Sequence, residues 1–378
     1  MPRRTLHSSL QRQSPAPEAP EGFRRIHYLS AISPGMLLSA LVSDNVEDPA
    51  LPIIVFHHGW HQEAATVADY GRTIAGAGCV AILPDMRGRG KSQGVPDASG
   101  YELQDSVDAL DCIEELYPRG EGVPGPYVAG ASGGGGNTCS ITAHFPYRFA
   151  AALSLCGMTD YAVWYEDDAE GVFRDEMDVW IGGPPSAFST AYRNRSVLHL
   201  LANLRMPLYA LHGEEDSAVS VEHARRLAAR RDDEKFGGLV EPLMLPGVGH
   251  AIPAEHWLPV LSVLPERHPL GLLPGRNETY VVAGYIELGF LRVDLGTMNA
   301  SARLELTQER DGVPRVRVLP LDGASPAVRV AVRMGAEAGH EVTAGVLALE
   351  RRSGGVIDLF FNDWQNGIGL EIPKGILP

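Results

Sequence analysis

The stretch Val128-Ala129-Gly130-Ala131-Ser132-Gly133-Gly134 constrains this chain more than any other. An apolar run from Pro126 to Ala131 leads into a serine flanked by glycines. Small residues follow, Gly135-Gly136-Asn137-Thr138-Cys139-Ser140, and then Ile141 to Phe145. This is G-x-S-x-G between an expected strand and an expected helix, the context in which that pattern makes a sharp turn. Glycines on both sides let the two elements approach without Cβ clashes. The turn puts the serine hydroxyl at the C-terminal end of a sheet, with the free N–H groups of a helix N-terminus behind it. A glycine–serine loop without chemistry has the same letters, so the rest of the chain has to supply a base, an acid and donors for a developing negative charge.

The surrounding pattern is an alternation. Leu51 to Phe56, Cys79 to Leu83, Phe149 to Leu155, Pro207 to Leu211 and Leu239 to Leu245 are short apolar runs, as expected for strands buried on both faces. Arg24 to Leu29 and Met36 to Val42 read as two earlier strands. Helical spacing runs from Ala65 to Ile74, Tyr101 to Tyr117, Ser220 to Arg231 and Ala251 to Leu264. Alternating strands and helices imply an α/β fold, a doubly wound and mostly parallel sheet with helices on both faces. Ligands of such sheets bind beyond the carboxyl ends of the strands. His57 to His61, Asp85, Ser132, His212 to Asp216 and His250 all fall at such ends.

Two segments depart from the alternation. Gly157 to Arg205 is long, aromatic and lies between two core strands, so it is expected to form an inserted cap. Beyond the proline-rich Pro265 to Pro274, seven short runs with turn signals between them read as strands: Tyr280 to Ile286, Phe290 to Leu295, Ala302 to Leu306, Arg315 to Leu319, Val328 to Val332, Val342 to Leu349 and Val356 to Phe361. They suggest a C-terminal all-β, sandwich-like domain of about a hundred residues. The expected organisation is a disordered leader over 1–22, an α/β domain over 23–268 with its cap at about 157–205, and the β domain over 275–378, through which a homodimer could form.

Composition excludes some functions. A net charge of -15 with only scattered Arg pairs argues against a nucleic-acid partner. No apolar run reaches the length of about 18 residues that a membrane span needs. The N-terminus has Arg3 and Arg4 but no apolar stretch behind them, unlike a signal peptide. Cys79, Cys112, Cys139 and Cys156 sit in apolar or helical patterns without metal-ligand spacing and read as buried thiols, which fits a cytoplasmic location. No metal and no cofactor are expected.

Ser132 needs a base, because an unassisted hydroxyl is a poor nucleophile. His250 follows the last strand of the alternating set, in Pro246-Gly247-Val248-Gly249-His250. Asp216, in His212-Gly213-Glu214-Glu215-Asp216, is the carboxylate expected to orient it. Glu215, one residue earlier, and Asp160, after another strand, are rivals for that place. The order Ser132, Asp216, His250 is one of three familiar serine-triad orders. An oxyanion hole needs two N–H donors. Gly133 supplies one, and Trp60, in the loop after Phe56, is expected to supply the other. His58 and His61 are expected to shape that loop and line the substrate pocket, and Tyr161, Trp164 and Tyr165 of the cap are further pocket candidates. Asp85 is expected to hold the Arg- and Gly-rich loop that follows it.

Met36 to His268 resembles the α/β-hydrolase superfamily, in the esterase and serine-peptidase branch with dienelactone hydrolase-like and prolyl-oligopeptidase-like catalytic domains. The matching pieces are His58-Gly59, Asp85-Met86-Arg87-Gly88-Arg89-Gly90-Lys91-Ser92, Gly130 to Gly134, His212 to Asp216 and Gly249-His250. Tyr192-Arg193-Asn194-Arg195-Ser196 is similar to the peptidase branch. The resemblance implies a Ser132–Asp216–His250 triad. Peptidase relatives usually carry an N-terminal β-propeller, for which the stretch before Met36 has no room. The expectation is therefore a serine hydrolase of a small carboxylic ester, lactone or amide. An acyl transferase or a non-hydrolytic lyase on the same fold, a peptidase, and a non-catalytic binding protein are the alternatives.

Overall fold

The computed structural model describes residues 19–231, 239–268, 275, 277–308, 313–323, 327–333, 340–353 and 356–372. Most of the expected leader, 1–18, lies outside them. The first sheet contains β1 (Phe23–Leu29), β2 (Leu37–Ser43), β3 (Ile53–His57), β4 (Val80–Asp85), β5 (Tyr127–Ala131), β6 (Ala151–Leu155), β7 (Leu208–Gly213) and β8 (Val240–Leu245), in the order β1-β2-β4-β3-β5-β6-β7-β8. The β1–β2 and β2–β4 pairs are antiparallel, and all the others are parallel. Every residue of β3, β4 and β6 is buried, which is why these strands read as unbroken apolar runs. Helices α1 (Ala68–Gly76), α2 (Glu102–Leu116) and α3 (Gly133–His144) return the chain between strands. Register aligns His57 with Gly130, Ala131 with Leu155, and Leu155 with Leu211. The carboxyl ends of four strands thus form one edge.

The excursion between β6 and β7 is the expected cap, built from α4 (Tyr161–Asp167), α5 (Arg174–Ile181), α6 (Ser189–Arg193) and α7 (Val197–Leu200). Helices α8 (Glu222–Arg231) and α9 (Ala254–Arg267) complete the first layer system. Among the described residues no helix is long and apolar enough to cross a membrane.

The C-terminal region is one ten-stranded antiparallel sheet, made of β9 (Glu278–Ala283), β10 (Tyr285–Glu287), β11 (Leu291–Asp294), β12 (Ala300–Gln308), β13 (Pro314–Gly323), β14 (Val328–Arg333), β15 (Glu341–Ala344), β16 (Val346–Ser353), β17 (Val356–Asp363) and β18 (Ile368–Glu371). Two of the runs read as single strands each break in two, at Gly284 (φ +76°) and Gly345 (φ +85°), conformations that glycine adopts without strain. The short β18 was not anticipated. The sheet folds over so that Val316, Val318 and Ile368 share one apolar core with Val328, Val330 and Leu359. It also docks on the first layer system. The Tyr285 ring stacks on Tyr101 at 5.1 Å and packs against His144 at 4.7 Å, and its hydroxyl donates to Gly100 O at 3.1 Å. Asn203 and Asn194 donate to the carbonyls of Val281 and Ala300, each at 2.7 Å.

Helix α2 buries acids as well as leucines. Asp108 accepts from Ala31 N–H at 2.7 Å and from Gln104 Nε2 at 2.9 Å. Burial pushes its carboxyl up to about 8, the Ala31 bond pulls it back and the Asp105 charge raises it further. Folded Asp108 therefore holds a proton that the unfolded chain releases near pH 4. Its penalty is absent below that pH and grows as pH rises through about 8, so stability falls over that interval. An Asp108→Asn variant should lose less stability than the parent between pH 6 and pH 8.5, read from urea midpoints, and equal losses would contradict this.

Candidate active site

Ser132 joins β5 to α3 at φ 57° and ψ -122°, a region that non-glycine residues enter at a cost of about 1–3 kcal/mol. Its N–H donates to Leu155 O at 2.9 Å. The glycines that follow explain how the turn is held. A Cβ on Gly133 would sit 2.6 Å from Trp60 N, and one on Gly134 would sit 2.1 Å from His57 O. On Gly135 it would meet Gly157 Cα and Leu155 O at 2.7 Å, and on Gly136 the Tyr161 hydroxyl at 2.6 Å. The run thus serves close packing of α3 onto the ends of β3 and β6.

Asp216 and His250 come from the loops after β7 and β8. His250 Nδ1 lies 2.8 Å from Asp216 Oδ2. Asp216 Oδ1 accepts from Ala218 N–H and Val219 N–H, each at 2.9 Å. His212 Nε2 donates to Val219 O at 2.8 Å and stands 3.4 Å from Asp216 Oδ2. Burial opposes the charge on Asp216, but the bonds from His212, His250 and Val219 outweigh it and hold the carboxyl well below the usual carboxylate range. The carboxylate is therefore charged throughout the neutral range. Neither rival takes its place. Asp160 caps α4 through Ala162 N–H and Val163 N–H and pairs with His199 at 3.0 Å, while Glu215 is exposed. The serine and histidine loops meet across the end of β6. Ser132 bonds Leu155 O, and the thiol of the next residue, Cys156, lies 3.9 Å from Gly249 O.

The Trp60 backbone lies against Gly133 at the start of α3, close enough that a Cβ on Gly133 would meet Trp60 N at 2.6 Å. The Trp60 indole is anchored separately, its Nε1 donating to Glu176 Oε2 at 2.5 Å. Asp85 carries the structural role expected of it. It accepts from Arg25 at 2.7 Å, from Ala64 N–H at 2.8 Å and from Lys91 N–H at 3.1 Å.

A family model described as the prolyl oligopeptidase family matches residues 71–257, a stretch that contains Ser132, Asp216 and His250. In sequence the chain is 24% identical over 227 residues to the uncharacterized peptidase YtmA of Bacillus subtilis, covering 60% of this chain and 84% of that protein. In fold it is similar to a puromycin-hydrolyzing peptidase of Mycobacterium tuberculosis, with TM-score 0.55 and 20% identity, over 68% of this chain but only 41% of that one. It is also similar to the esterase Pf2001 of Pyrococcus furiosus, with TM-score 0.50 and 15% identity, over 65% and 93% of the two chains. The chain has the α/β-hydrolase fold, and its residues 71–257 resemble the prolyl oligopeptidase family.

The pocket opens beside Gly133 and Trp60. His58 lines it as expected. His58 Nδ1 faces Gly59 O at 2.8 Å and its Nε2 accepts from Met86 N–H at 3.2 Å, which fixes a neutral tautomer, and burial lowers its pKa to about 4. The other four pocket candidates, His61, Tyr161, Trp164 and Tyr165, do not line it. His61 lies at the cap surface, bound to Glu176 at 2.8 Å and stacked on Phe173. Tyr161, Trp164 and Tyr165 form the apolar core of the cap, because large aromatic rings gain most by full burial. The cap aromatic that does reach the pocket is Trp180, with the Arg89 guanidinium 4.6 Å from its ring centroid. Met86, Ala98, Glu102 and Asn137 also line it. Met86 and Arg89 belong to the Asp85 to Ser92 motif, which is the one sequence signal that points to them.

The glycine seam yields a direct test. Gly134→Ala should cost at least about 2 kcal/mol, since backbone atoms at 2.1 Å have no room to give. Gly76→Ala, whose Cβ meets nothing within 4 Å at the end of α1, should be neutral or stabilising by up to about 1 kcal/mol. Urea unfolding of both variants measures the contrast.

Proposed function

We propose that the protein is a serine hydrolase that cleaves small carboxylic esters, lactones or amides through an acyl-enzyme on Ser132. The observation that carries this reading is the 2.8 Å bond between Asp216 Oδ2 and His250 Nδ1, beside the Ser132 turn. With Nδ1–H turned to the carboxylate, Nε2 is left as the base. Ser132 Oγ attacks the acyl carbonyl, Nε2 takes the hydroxyl proton, and the N–H groups of Gly133 and Trp60 receive the oxyanion. The proton then passes from Nε2 to the leaving alcohol or amine. Water, deprotonated by the same nitrogen, attacks the acyl carbonyl and frees Ser132. Asp216 stays charged and stabilises the imidazolium in both steps.

The pocket favours a small acyl group. Large side chains, Trp60, Trp180, Met86 and Arg89, crowd its walls and leave little room beside Gly133. Trp60 packs against Trp164 and Trp180, each at 4.9 Å, and the Trp60 and Trp180 rings line the pocket. A peptidase is the second reading, favoured by the prolyl oligopeptidase family match over 71–257.

Turnover of p-nitrophenyl esters from acetyl to octanoyl, set beside aminoacyl p-nitroanilides, tests both. Acetyl and propionyl esters should give the highest kcat/KM. Ser132→Ala should lose activity about 10⁴-fold and should not be labelled by a fluorophosphonate. Undiminished turnover in that variant sinks the proposal, and anilides outrunning every ester would move the assignment to a peptidase.

A further inference from the structure

One side chain at the triad has no part in the chemistry above. Cys156 follows β6 at φ +49°, and its buried thiol points at the Asp216–His250 pair. Cys156 Sγ, a carboxylate oxygen of Asp216 and a ring nitrogen of His250 all lie within 4.8 Å of one another. Strand register makes this meeting. Cys156 N–H donates to Leu211 O at 2.8 Å, so the residue sits between the Ser132 turn on β5 and the Asp216 loop on β7. A thiol, an imidazole and a carboxylate are the donor set that zinc takes in proteins, with bonds of about 2.3 Å to sulfur and about 2.0–2.2 Å to nitrogen and oxygen. Around one tetrahedral ion such donors stand about 3.4–3.6 Å apart, within small side-chain rotations of the spacing found here. The His250 side chain is 33% exposed, which gives an ion a way in.

We propose that Cys156, Asp216 and His250 form a Zn²⁺ site whose occupation takes the catalytic histidine out of service. The inference rests on the triad assigned under Proposed function. Zn²⁺ replaces the thiol proton, which leaves to solvent, and binds the sulfur as thiolate. It also binds Nδ1 of His250, whose proton moves by exchange with water to Nε2. The imidazole stays neutral, but Nε2 now carries a hydrogen and has no lone pair for the Ser132 hydroxyl proton. Asp216 supplies the third ligand, and water takes the fourth position. Mg²⁺ and Ca²⁺, which favour oxygen donors, are not held by this set. The sequence hides the site because its ligands come from three separate strand ends.

The test uses the full chain in a non-chelating buffer with a short p-nitrophenyl ester. Micromolar Zn²⁺ should lower kcat at least about tenfold, EDTA should restore it, and millimolar Mg²⁺ should have no effect. Cys156→Ala and Cys156→Ser should keep activity within about threefold of the parent without metal and need at least about tenfold more Zn²⁺ for the same inhibition, in line with the affinity that loss of one ligand removes. Equal inhibition of parent and Cys156 variants overturns the site. A second readout is independent of turnover. Co²⁺ added to the parent, or to Ser132→Ala, should give a thiolate-to-metal absorption band that Cys156→Ala lacks. Absence of that band in the parent also overturns the site, while esterase activity in the same sample leaves the hydrolase reading standing. A band in a chain without hydrolase activity supports the site and removes that reading instead.

Discussion

Everything at the carboxyl edge of the first sheet depends on backbone touching backbone at the start of α3. Helix N-termini usually keep a side chain's distance from the strands beside them. Here Gly133 to Gly136 let α3 lie against the loop after β3, against Leu155 at the end of β6 and against Tyr161 of the cap. That closeness holds Ser132 in its positive-φ conformation. It also sets Trp60 N beside Gly133, so the proposed donors and nucleophile are placed by the same seam. Glycine in a helix costs about 1 kcal/mol per residue against alanine. Four in a row at the first turn is thus a local cost that offsets itself only through tertiary contact.

A second constraint acts on the far side of the site. Asp216 is enclosed by two backbone N–H groups and two imidazoles, and it remains an anion despite its burial. Its position is fixed from within its own loop by Ala218 and Val219, so the carboxylate does not depend on His250 to keep its place. His250, by contrast, is partly exposed on a glycine-rich loop. The pair therefore joins a rigid acid to a more adjustable base.

The sheet and its strand ends were legible because they follow simple rules. Strands buried on two faces are continuously apolar, helices between them repeat every three to four residues, and ligands collect where parallel strands end. Those rules led to Asp216 and His250, which the structure brings into contact. They do not describe loops or packing depth. Arg89, Glu102 and Asn137 reach the pocket from a loop, a helix start and the second turn of α3, and periodicity does not mark which residue of such a segment faces a pocket. Tyr161, Trp164 and Tyr165 attracted notice as aromatics near the site, yet the same apolar area that made them visible drew them into the cap core. In the C-terminal sheet, Gly284 and Gly345 break runs whose alternation continues unbroken in the letters.

Tyr285 has a wider consequence. Its ring belongs to the apolar cluster that also contains Leu103 and Val107 of α2 and Ile141 of α3, and its hydroxyl holds Gly100, two residues from Ala98 of the pocket wall. Buried packing therefore crosses the boundary that composition draws near residue 270. The outer sheet has its own core, but Ala283, Tyr285 and Met298 pack into the cluster of the first sheet, so the two are expected to melt in one cooperative step. Sequence drift in the outer sheet then reaches the pocket through stability and loop placement, without any residue of that sheet touching a substrate.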